Sequence, residues 1–201
     1  AIVTAPVAKN ALYLAGHKFN GQTEILQNFL SHGNQLAEML FVANNFRVLL
    51  LTRHCAIKDI HLTKEIIITK IENLVKTFNK YYGIQNPTFA LCGFNPHAGE
   101  DGILGREEID ILMPLPADTL FVNAAEHYLK NEKDEFDCYI ANYHDQGLIP
   151  IKTVAGDNTV NTTIGLDIIR TSPGHGTAFD IAGKNIANPN AMIAAIKAVL
   201  S

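Results

Sequence analysis

The stretch Arg47–Thr52 reads RVLLLT and is almost wholly apolar, which predicts a strand that is buried on both faces. A helix follows along the chain, because Thr63 can cap a first turn and Gly83 suits a C-terminal end. Apolar residues lie on one stripe between these two positions: Ile67, Ile71, Leu74, Val75, Phe78 and Tyr82. A buried strand followed by an amphipathic helix is typical of α/β proteins.

Further buried strands are predicted at Thr88–Cys92 (TFALC) and Cys138–Tyr143 (CYIANY), with a short fourth strand at Ile168–Thr171. Asn188 and Pro189 suit the cap and the first position of a final helix. The inward face of that helix is predicted to comprise Ile193, Ile196, Val199 and Leu200. Strands that alternate with helices in this way predict an α/β fold.

Composition restricts the class of protein. The chain has 201 residues, of which 47% are hydrophobic and 18% charged, so it can form one packed domain, or one domain and part of another. Its net charge of −4 argues against a general nucleic-acid-binding surface. Apolar runs stay well short of the roughly 18 residues that a membrane span requires. The first residues also lack the pattern of a signal peptide.

The cysteines indicate the redox environment. Cys55, Cys92 and Cys138 are odd in number and far apart, so neither a disulfide framework nor a thiolate zinc site is expected. Reduced, buried thiols in a cytoplasmic protein are the expectation.

Polar residues follow the predicted strands at the points where the strands end. His54 follows RVLLLT, His97 follows FALCG, and His144 follows CYIANY. Ligands of open α/β sheets bind beyond the carboxyl ends of the strands. Each histidine alone is better explained as a surface or capping residue, but together they favour a metal site with an open coordination position. Zinc, magnesium, manganese and cobalt all remain candidates.

Other polar side chains near the strand ends have candidate roles, and for most of them a structural role competes with a functional one. Asp145 can orient a neighbouring histidine, and Asp118 is either a helix cap or a base. Lys152 is either solvated or able to bind an anion or carry a proton. Arg170 can clamp a phosphate or form a surface salt bridge. The glycines that follow Asn95 allow close approach to a ligand. The chain has no G-x-G-x-x-G motif, so a Rossmann site is not supported.

Several long motifs occur in a fixed order: GFNPHAGEDGILGREEID, PLPADTLF, YHDQGLIPIK, VNTTIGL and IRTSPGHGTAFDIAG. Together they resemble the 4-hydroxythreonine-4-phosphate dehydrogenase family of vitamin B6 biosynthesis, from the initial VTAPVAKN to the final helix. The segment HGTAFDIAGKNIANP is also similar to the cofactor loop of isopropylmalate and isocitrate dehydrogenases.

The resemblance implies an isocitrate/isopropylmalate dehydrogenase-like, three-layer α/β/α fold with one lobe and part of a second. The central lobe would occupy about residues 20–150, and residues 1–19 and 151–201 would belong to the other lobe with its cofactor loop. The chain would be the C-terminal two-thirds of the enzyme and lack its N-terminal part. The resemblance further implies a cytoplasmic homodimer whose active site lies at the subunit interface, with no nucleic-acid or membrane partner.

The resemblance also implies a reaction. NAD or NADP would oxidise the C3 hydroxyl of 4-phosphohydroxy-L-threonine, and loss of carbon dioxide would leave 3-amino-2-oxopropyl phosphate. A divalent metal (zinc, magnesium or cobalt) would be held by His54, His97 and His144, one of them from the partner subunit. The other implied residues fall into three groups: Gln22, Thr23, Lys152, Asn161 and Arg170 for substrate, Asp118 and Lys152 for catalysis, and His175, Gly176, Thr177 and Asn188 for the cofactor.

The chain departs from the family in two internal features. Gln22 stands where many relatives carry histidine, and glutamine cannot titrate. The segment 109–116 is much shorter than in the family. Two alternatives therefore stay open: a sister dehydrogenase acting on another phosphorylated four-carbon hydroxy acid, and a non-catalytic metal-binding fragment.

Overall fold

The computed structural model describes residues 1–19, 21–112, 119–122 and 136–199. The chain forms two compact units. Asn44–Thr153 form one, which we call the parallel unit after its strand pairing. Ala1–Ala43 and Val154–Ser201 form the other, which we call the mixed unit. The expected lobe boundaries near residues 20 and 150 stay predictions.

The elements of the described residues have the following bounds. The strands are β1 (Ile2–Val3), β2 (Glu38–Ala43), β3 (Phe46–Leu50), β4 (Phe89–Cys92), β5 (Thr119–Val122), β6 (Cys138–Ala141), β7 (Val160–Ile164) and β8 (Arg170–Pro173). The α-helices are α1 (Lys9–Leu14), α2 (Gln22–Leu30), α3 (Lys64–Thr77), α4 (His144–Ala155) and α5 (Asn190–Lys197). Among these helices, none combines the length and the hydropathy that a membrane crossing requires.

The strands of the parallel unit lie in the order β3, β6, β4, β5, and each neighbouring pair is parallel. Strands β4 and β6 are buried throughout, and β3 is buried at all but Arg47, as the apolar runs predicted. Since the strands are parallel, their carboxyl ends share one edge of the sheet. The loops that carry the strand-end histidines therefore begin at this edge.

Helices α3 and α4 cover opposite faces of this sheet. The ring of Phe78, directly after α3, lies 5.9 Å from that of Phe89, which pairs with Cys138. On α4, a Cβ built on Gly147 would lie 2.7 Å from Cδ2 of Leu50 and 3.0 Å from Cβ of Ala141. Cys138 and Ala141 are three residues apart on β6 and point to opposite faces. The parallel unit thus has three layers.

Helix α3 begins and ends as the sequence predicts. The Thr63 hydroxyl accepts a hydrogen bond from the Ile66 N–H at 3.3 Å. A π-helical turn, Phe78–Tyr82, follows the last α-helical turn, and Gly83 ends it with a φ of 70°. Of the predicted apolar stripe, Ile67 and Leu74 are fully buried.

The strands of the mixed unit lie in the order β1, β8, β7, β2, where only the β1–β8 pair is parallel. The short fourth strand was predicted at Ile168–Thr171, but β8 begins at Arg170. Strand β7 reads VNTTI and is polar in composition, and its threonines Thr162 and Thr163 are nevertheless buried. Helix α5 covers one face, where Thr171 donates to the Ala195 carbonyl, and on the other face the adjacent Arg170 donates to Gln22 at the start of α2. The predicted α/β fold is confirmed.

Helix α5 corrects one expectation. Ile193 and Ile196 were expected to face inward, but each is 43% exposed, and Ala191 and Ala195 are buried instead. Small side chains allow the helix to approach the sheet closely, as the 2.7 Å hydrogen bond from the Thr171 hydroxyl to the Ala195 carbonyl requires. Leu200 lies outside the described residues.

The cysteines are free, and Cys92 and Cys138 are buried as expected. Burial raises the pKa of the Cys138 thiol. Cys55 is exposed, which corrects the expectation that all of the thiols are buried.

Candidate functional site

Two of the strand-end histidines meet beyond the carboxyl ends of β3 and β6. The ring centroids of His54 and His144 are 5.5 Å apart, and the rings are tilted by 43°. His54 is exposed and follows β3 after three intervening residues, whereas His144 is the first residue of α4. Because β3 and β6 are parallel neighbours, their following residues are brought together although they are distant in sequence.

Asp145 orients the second of these rings, as the sequence suggested. Nδ1 of His144 lies 2.6 Å from Oδ1 of Asp145. A carboxylate at Nδ1 fixes the tautomer and directs Nε2 toward any ligand that the ring binds. The pair is partly exposed, with His144 at 36%, so the ring is accessible from solvent.

The third strand-end histidine lies in a different kind of segment. His97 begins a left-handed turn in which every φ from His97 to Asp101 lies between 47° and 81°. Left-handed backbone costs a non-glycine residue roughly 1–2 kcal/mol. Nδ1 of His97 lies 3.3 Å from Oε1 of Glu100 within this turn.

Side chains from the following segment hold the left-handed turn. The Asn95 N–H donates to Oε1 of Glu108 at 2.6 Å, and Nδ2 of Asn95 donates to Oε2 of Glu108 at 2.9 Å. Nδ2 of Asn95 also donates to Glu107, and this bond lowers the pKa of the Glu107 carboxyl. Glu108 is buried, so its bonds to Asn95 are protected from water.

The glycines of this loop serve its own packing. A Cβ on Gly99 would lie 2.7 Å from the Gly105 carbonyl oxygen, and one on Gly102 would lie 3.2 Å from Cδ1 of Ile109. The glycines therefore admit the neighbouring backbone and side chains, and the close approach of a ligand to this loop stays a prediction.

The donor set fits a divalent metal only in part. Two imidazoles at the separation of His54 and His144 can share one cation. Across the described ranges, however, no group of three or more histidine, cysteine, aspartate or glutamate side chains is arranged to hold a metal. His97 does not join the other two within one chain.

A second cluster lies in the mixed unit, around Arg170. The guanidinium donates from Nε and Nη2 to Oγ1 of Thr4, at 2.8 and 2.6 Å, and from Nη2 to Oε1 of Gln22 at 2.7 Å. Arg170 is 4% exposed, and burial lowers its pKa to about 10. Of the described residues, none contributes a carboxylate to this guanidinium. It remains cationic at neutral pH and is suited to bind an anion.

The other predicted substrate residues of this unit lie at the start of α2 or on the sheet face that carries Arg170. Thr23 is buried in the first turn of α2, next to Gln22, whose Nε2 donates to the Ala5 carbonyl at 2.8 Å. Asn161 pairs with Ser172, and Arg170 with Thr163, so all four side chains point to one face of the sheet. Oδ1 of Asn161 is buried without a hydrogen-bond partner in the described part of the chain.

The predicted catalytic and cofactor residues are placed as follows. Lys152 is exposed on α4, in the parallel unit. Asp118 lies outside the described residues. His175, Gly176 and Thr177 form an exposed segment after β8.

Asn188 links the segment after β8 to Asp157. Its Nδ2 donates to Oδ2 of Asp157 at 2.9 Å, and its Oδ1 accepts from the Asn190 N–H at 3.0 Å. Asn188 therefore shapes the start of α5 as well as the loop before it.

Sequence reasoning missed the hydroxyl that holds Arg170. Thr4 accepts two of the guanidinium hydrogen bonds, although 166 residues separate the two positions. The only signal was the presence of VTAPV among the matching motifs, which assigned no role to the threonine.

The fold is an α/β fold similar to that of a solved dehydrogenase. The isocitrate dehydrogenase of Methylococcus capsulatus superposes with a TM-score of 0.53 at 17% identity, covering 98% of this chain and 67% of that one. This likeness concerns the fold alone. Residues 1–199 match the family described as pyridoxal phosphate biosynthetic protein PdxA. The chain belongs to this family.

Individual relatives agree with the family. The 4-hydroxythreonine-4-phosphate dehydrogenase of Synechocystis sp. is 43% identical over 223 aligned positions, covering 98% of this chain and 63% of the relative. The crystal structure of the Klebsiella pneumoniae enzyme of that name has a TM-score of 0.84 at 34% identity, covering 99% and 63%. A terephthalate 1,2-cis-dihydrodiol dehydrogenase from Burkholderia xenovorans has a TM-score of 0.71 at 29% identity, covering 99% and 65%.

The alignment with the Synechocystis relative covers only part of that protein. The chain spans about 63% of the relative's length. At least 22 positions of that alignment are residues of the relative with no counterpart in the 201 residues here. A shortened segment was expected at 109–116, which lies partly outside the described residues.

Proposed function

We propose that the polypeptide carrying this chain is a divalent-metal-dependent, NAD- or NADP-dependent dehydrogenase of 4-phosphohydroxy-L-threonine. The observation that carries the proposal is Arg170, a buried guanidinium held by neutral oxygens in a member of this family. An uncompensated buried cation is costly unless an anion completes it. The phosphate of the proposed substrate would supply that anion.

The mixed unit supplies further contacts for the same substrate. Oδ1 of Asn161 is a buried acceptor without a partner in the described residues, on the same strand face as Arg170. The substrate carries an ammonium group, which can donate to such an oxygen. Gln22 and Thr4 hold the guanidinium in one orientation, which reduces the entropy lost on binding.

The proposed metal ligands are His54, His97 and His144 in a homodimer, where the partner subunit contributes one of the three. The 5.5 Å separation of the His54 and His144 rings supports the assignment. The left-handed turn that carries His97 supports a role for that residue, because backbone strain concentrates at functional sites. A divalent cation bound there would act as a Lewis acid on the hydroxyl that is oxidised.

The reaction requires one base. A bound nicotinamide would supply the acceptor for the hydride removed from C3, and a base would take the proton of the C3 hydroxyl. Lys152, exposed on α4, or Asp118 would accept this proton, directly or through water. The resulting 3-oxo acid then loses carbon dioxide and leaves 3-amino-2-oxopropyl phosphate.

We assign the cofactor to the segment after β8. His175, Gly176 and Thr177 are exposed, and a Cβ on Gly176 would meet no atom within 4 Å, so a large ligand has room there. The side chains of Phe179 and Ile186 are also 70% and 64% exposed. Exposed apolar side chains are suited to cover a planar base.

The test is an assay of the complete polypeptide with 4-phosphohydroxy-L-threonine, NAD and a divalent metal. We expect NADH and carbon dioxide to form in equal amounts. Absence of NADH, under conditions where the Klebsiella pneumoniae relative is active, would contradict the proposal.

Gln22 favours a second candidate, a sister enzyme for another phosphorylated four-carbon hydroxy acid. The amide oxygen accepts from Arg170 and the amide nitrogen donates to the Ala5 carbonyl, and an amide cannot titrate as the histidine of many relatives can. The relative that acts on a terephthalate dihydrodiol, at 29% identity, supports variation of substrate on this fold. Turnover of an erythronate-type phosphate in preference to the threonine phosphate would identify this candidate.

A further inference from the structure

Two uncharged side chains, Asn142 and Gln146, join the strand ends that precede His97 and His144. Asn142 is fully buried at the end of β6. Its Nδ2 donates to the Cys92 carbonyl at the end of β4, at 2.7 Å, and to Oε1 of Gln146 at 3.1 Å. Its backbone N–H donates to the same Gln146 oxygen at 2.8 Å. Gln146 and Asn142 thus act as one bonded pair.

Gln146 extends the pair to the loop that carries His97. Its Nε2 donates to the Gly93 carbonyl at 2.7 Å, one residue beyond β4. Gly93 precedes His97 by four residues. The first turn of α4 is therefore bonded to the beginning of this loop.

Thr52 brings the third strand end to the same place. Its hydroxyl and its N–H both donate to the Asn142 carbonyl, at 2.7 and 3.2 Å. Thr52 precedes His54 by two residues, and Asn142 precedes His144 by two. The three histidine-bearing segments consequently start from one set of hydrogen bonds.

The chemistry of the pair suits this role. An amide side chain donates and accepts at once, so it can join backbone carbonyls to an N–H without introducing a charge beside a cation. Oδ1 of Asn142 is buried and lacks a partner among the described residues. Residue 142 is thus an asparagine although its side-chain oxygen forms no hydrogen bond with the described residues. An unsatisfied buried oxygen is costly, and packing alone does not explain it.

We propose that Asn142 and Gln146 are positioning residues that fix the loop carrying His97 relative to the start of the helix carrying His144. The proposal rests on the proposed function, which makes those histidines the metal ligands. Side chains outside the ligand set that orient it contribute strongly to metal affinity. Neither residue touches substrate or cofactor in this proposal.

The opposite edge of the same sheet offers a matched control. There Asp137, next to β6, accepts from the Thr88 N–H at 2.8 Å and from the Thr88 hydroxyl at 3.2 Å, so it joins β6 to β4 at their amino ends. Asp137 and Gln146 are both half-buried. Gln146→Ala and Asp137→Ala therefore remove comparable cross-strand bonds at the two ends of the sheet.

The first measurement is cobalt binding to the complete polypeptide, followed by the visible absorption of the bound ion. We expect Gln146→Ala to weaken binding about tenfold or more, in the range for residues that orient metal ligands, and Asp137→Ala to leave it unchanged. Gln146→Glu keeps the accepting oxygen and loses the donor to Gly93, so it should also weaken binding. Equal losses in Gln146→Ala and Asp137→Ala, or no loss in Gln146→Ala, would overturn the proposal.

The second measurement is amide hydrogen exchange without metal. We expect Gln146→Ala to accelerate exchange together in segments 93–101 and 142–147. Acceleration confined to 142–147 would refute the coupling even if cobalt binding falls. If the unsubstituted protein binds no cobalt, the proposed metal site fails, and the exchange pattern alone decides whether the pair couples the two segments.

Discussion

The two units place their candidate ligand-binding groups on different parts of a sheet. In the parallel unit, His54 and His144 follow the ends of buried strands and meet beyond the sheet edge. In the mixed unit, Asn161 and Arg170 lie within antiparallel strands, on one face. The first arrangement places the groups on loops, and the second fixes them in a hydrogen-bonded ladder.

This difference affects what each site can bind. Loop residues depend on side-chain hydrogen bonds for their position, as His144 depends on Asp145. Strand residues are positioned by the sheet itself, and the Arg170 guanidinium donates to the neutral side chains of Thr4, Thr163 and Gln22. We therefore expect the two sites to fail independently when either is changed.

The largest effect is expected at the loop site. His144→Ala removes one of two converging imidazoles, and loss of several kcal/mol of charge stabilisation corresponds to about a thousandfold lower metal-dependent turnover. Binding of inorganic phosphate by Arg170 should be unchanged, as isothermal titration can show. A variant that retains the original turnover would remove His144 from the site.

Arg170→Lys changes the strand site, and the loop site then serves as the control. Lysine keeps the charge but cannot donate to Thr4 and Gln22 from a planar fork. Loss of charged hydrogen bonds worth about 1.5–3 kcal/mol each predicts a KM roughly a hundredfold higher. Cobalt affinity should be unaltered; a parallel loss of cobalt binding would show that the two sites are not independent.

The pH dependence of phosphate binding provides a finer test of the strand site. Burial lowers the pKa of Arg170 to about 10. The guanidinium is protonated below that pH, so affinity for the phosphate dianion should be constant up to about pH 9 and should fall by about tenfold per pH unit above the pKa. Isothermal titration with inorganic phosphate at several pH values measures this dependence. Affinity that rises above about pH 10 would contradict the role of the Arg170 charge in binding.

The smallest effect concerns packing. A Cβ on Gly147 would lie 2.7 Å from Leu50 and 2.8 Å from Val48, so Gly147→Ala should lower the free energy of unfolding by about 1–3 kcal/mol. Gly176→Ala in the mixed unit meets no atom within 4 Å and should change it by less than about 0.5 kcal/mol. Denaturant unfolding compares the two, and equal losses would contradict the packing of α4 on β3.

The sequence predicted the parallel unit better than the mixed one, for a physical reason. Strands β4 and β6 are apolar runs that are buried on both faces, and Thr63 caps α3 with its own side chain. These features are local, so they can be recognised without tertiary structure. Strand β7 reads VNTTI and has no apolar run, and the burial of its threonines depends on strands elsewhere in the chain.

The candidate sites follow the same rule. A histidine after an apolar run can be recognised from sequence, which indicated His54 and His144. The contact of Thr4 with Arg170 joins residues 166 positions apart, and no local pattern encodes it. The amide pair of Asn142 and Gln146 was visible only as part of a motif, since its partners Thr52, Cys92 and Gly93 come from two other strands.

The left-handed turn that begins at His97 reverses an ordinary preference among amino acids. In a right-handed helix, replacing alanine with glycine is unfavourable, because glycine has more conformations to lose on folding. At Ala98, with a φ of 52°, the alanine methyl group is the source of strain instead. Here a mirror-image residue, D-alanine, would be the natural occupant, and glycine is its nearest genetically encoded substitute.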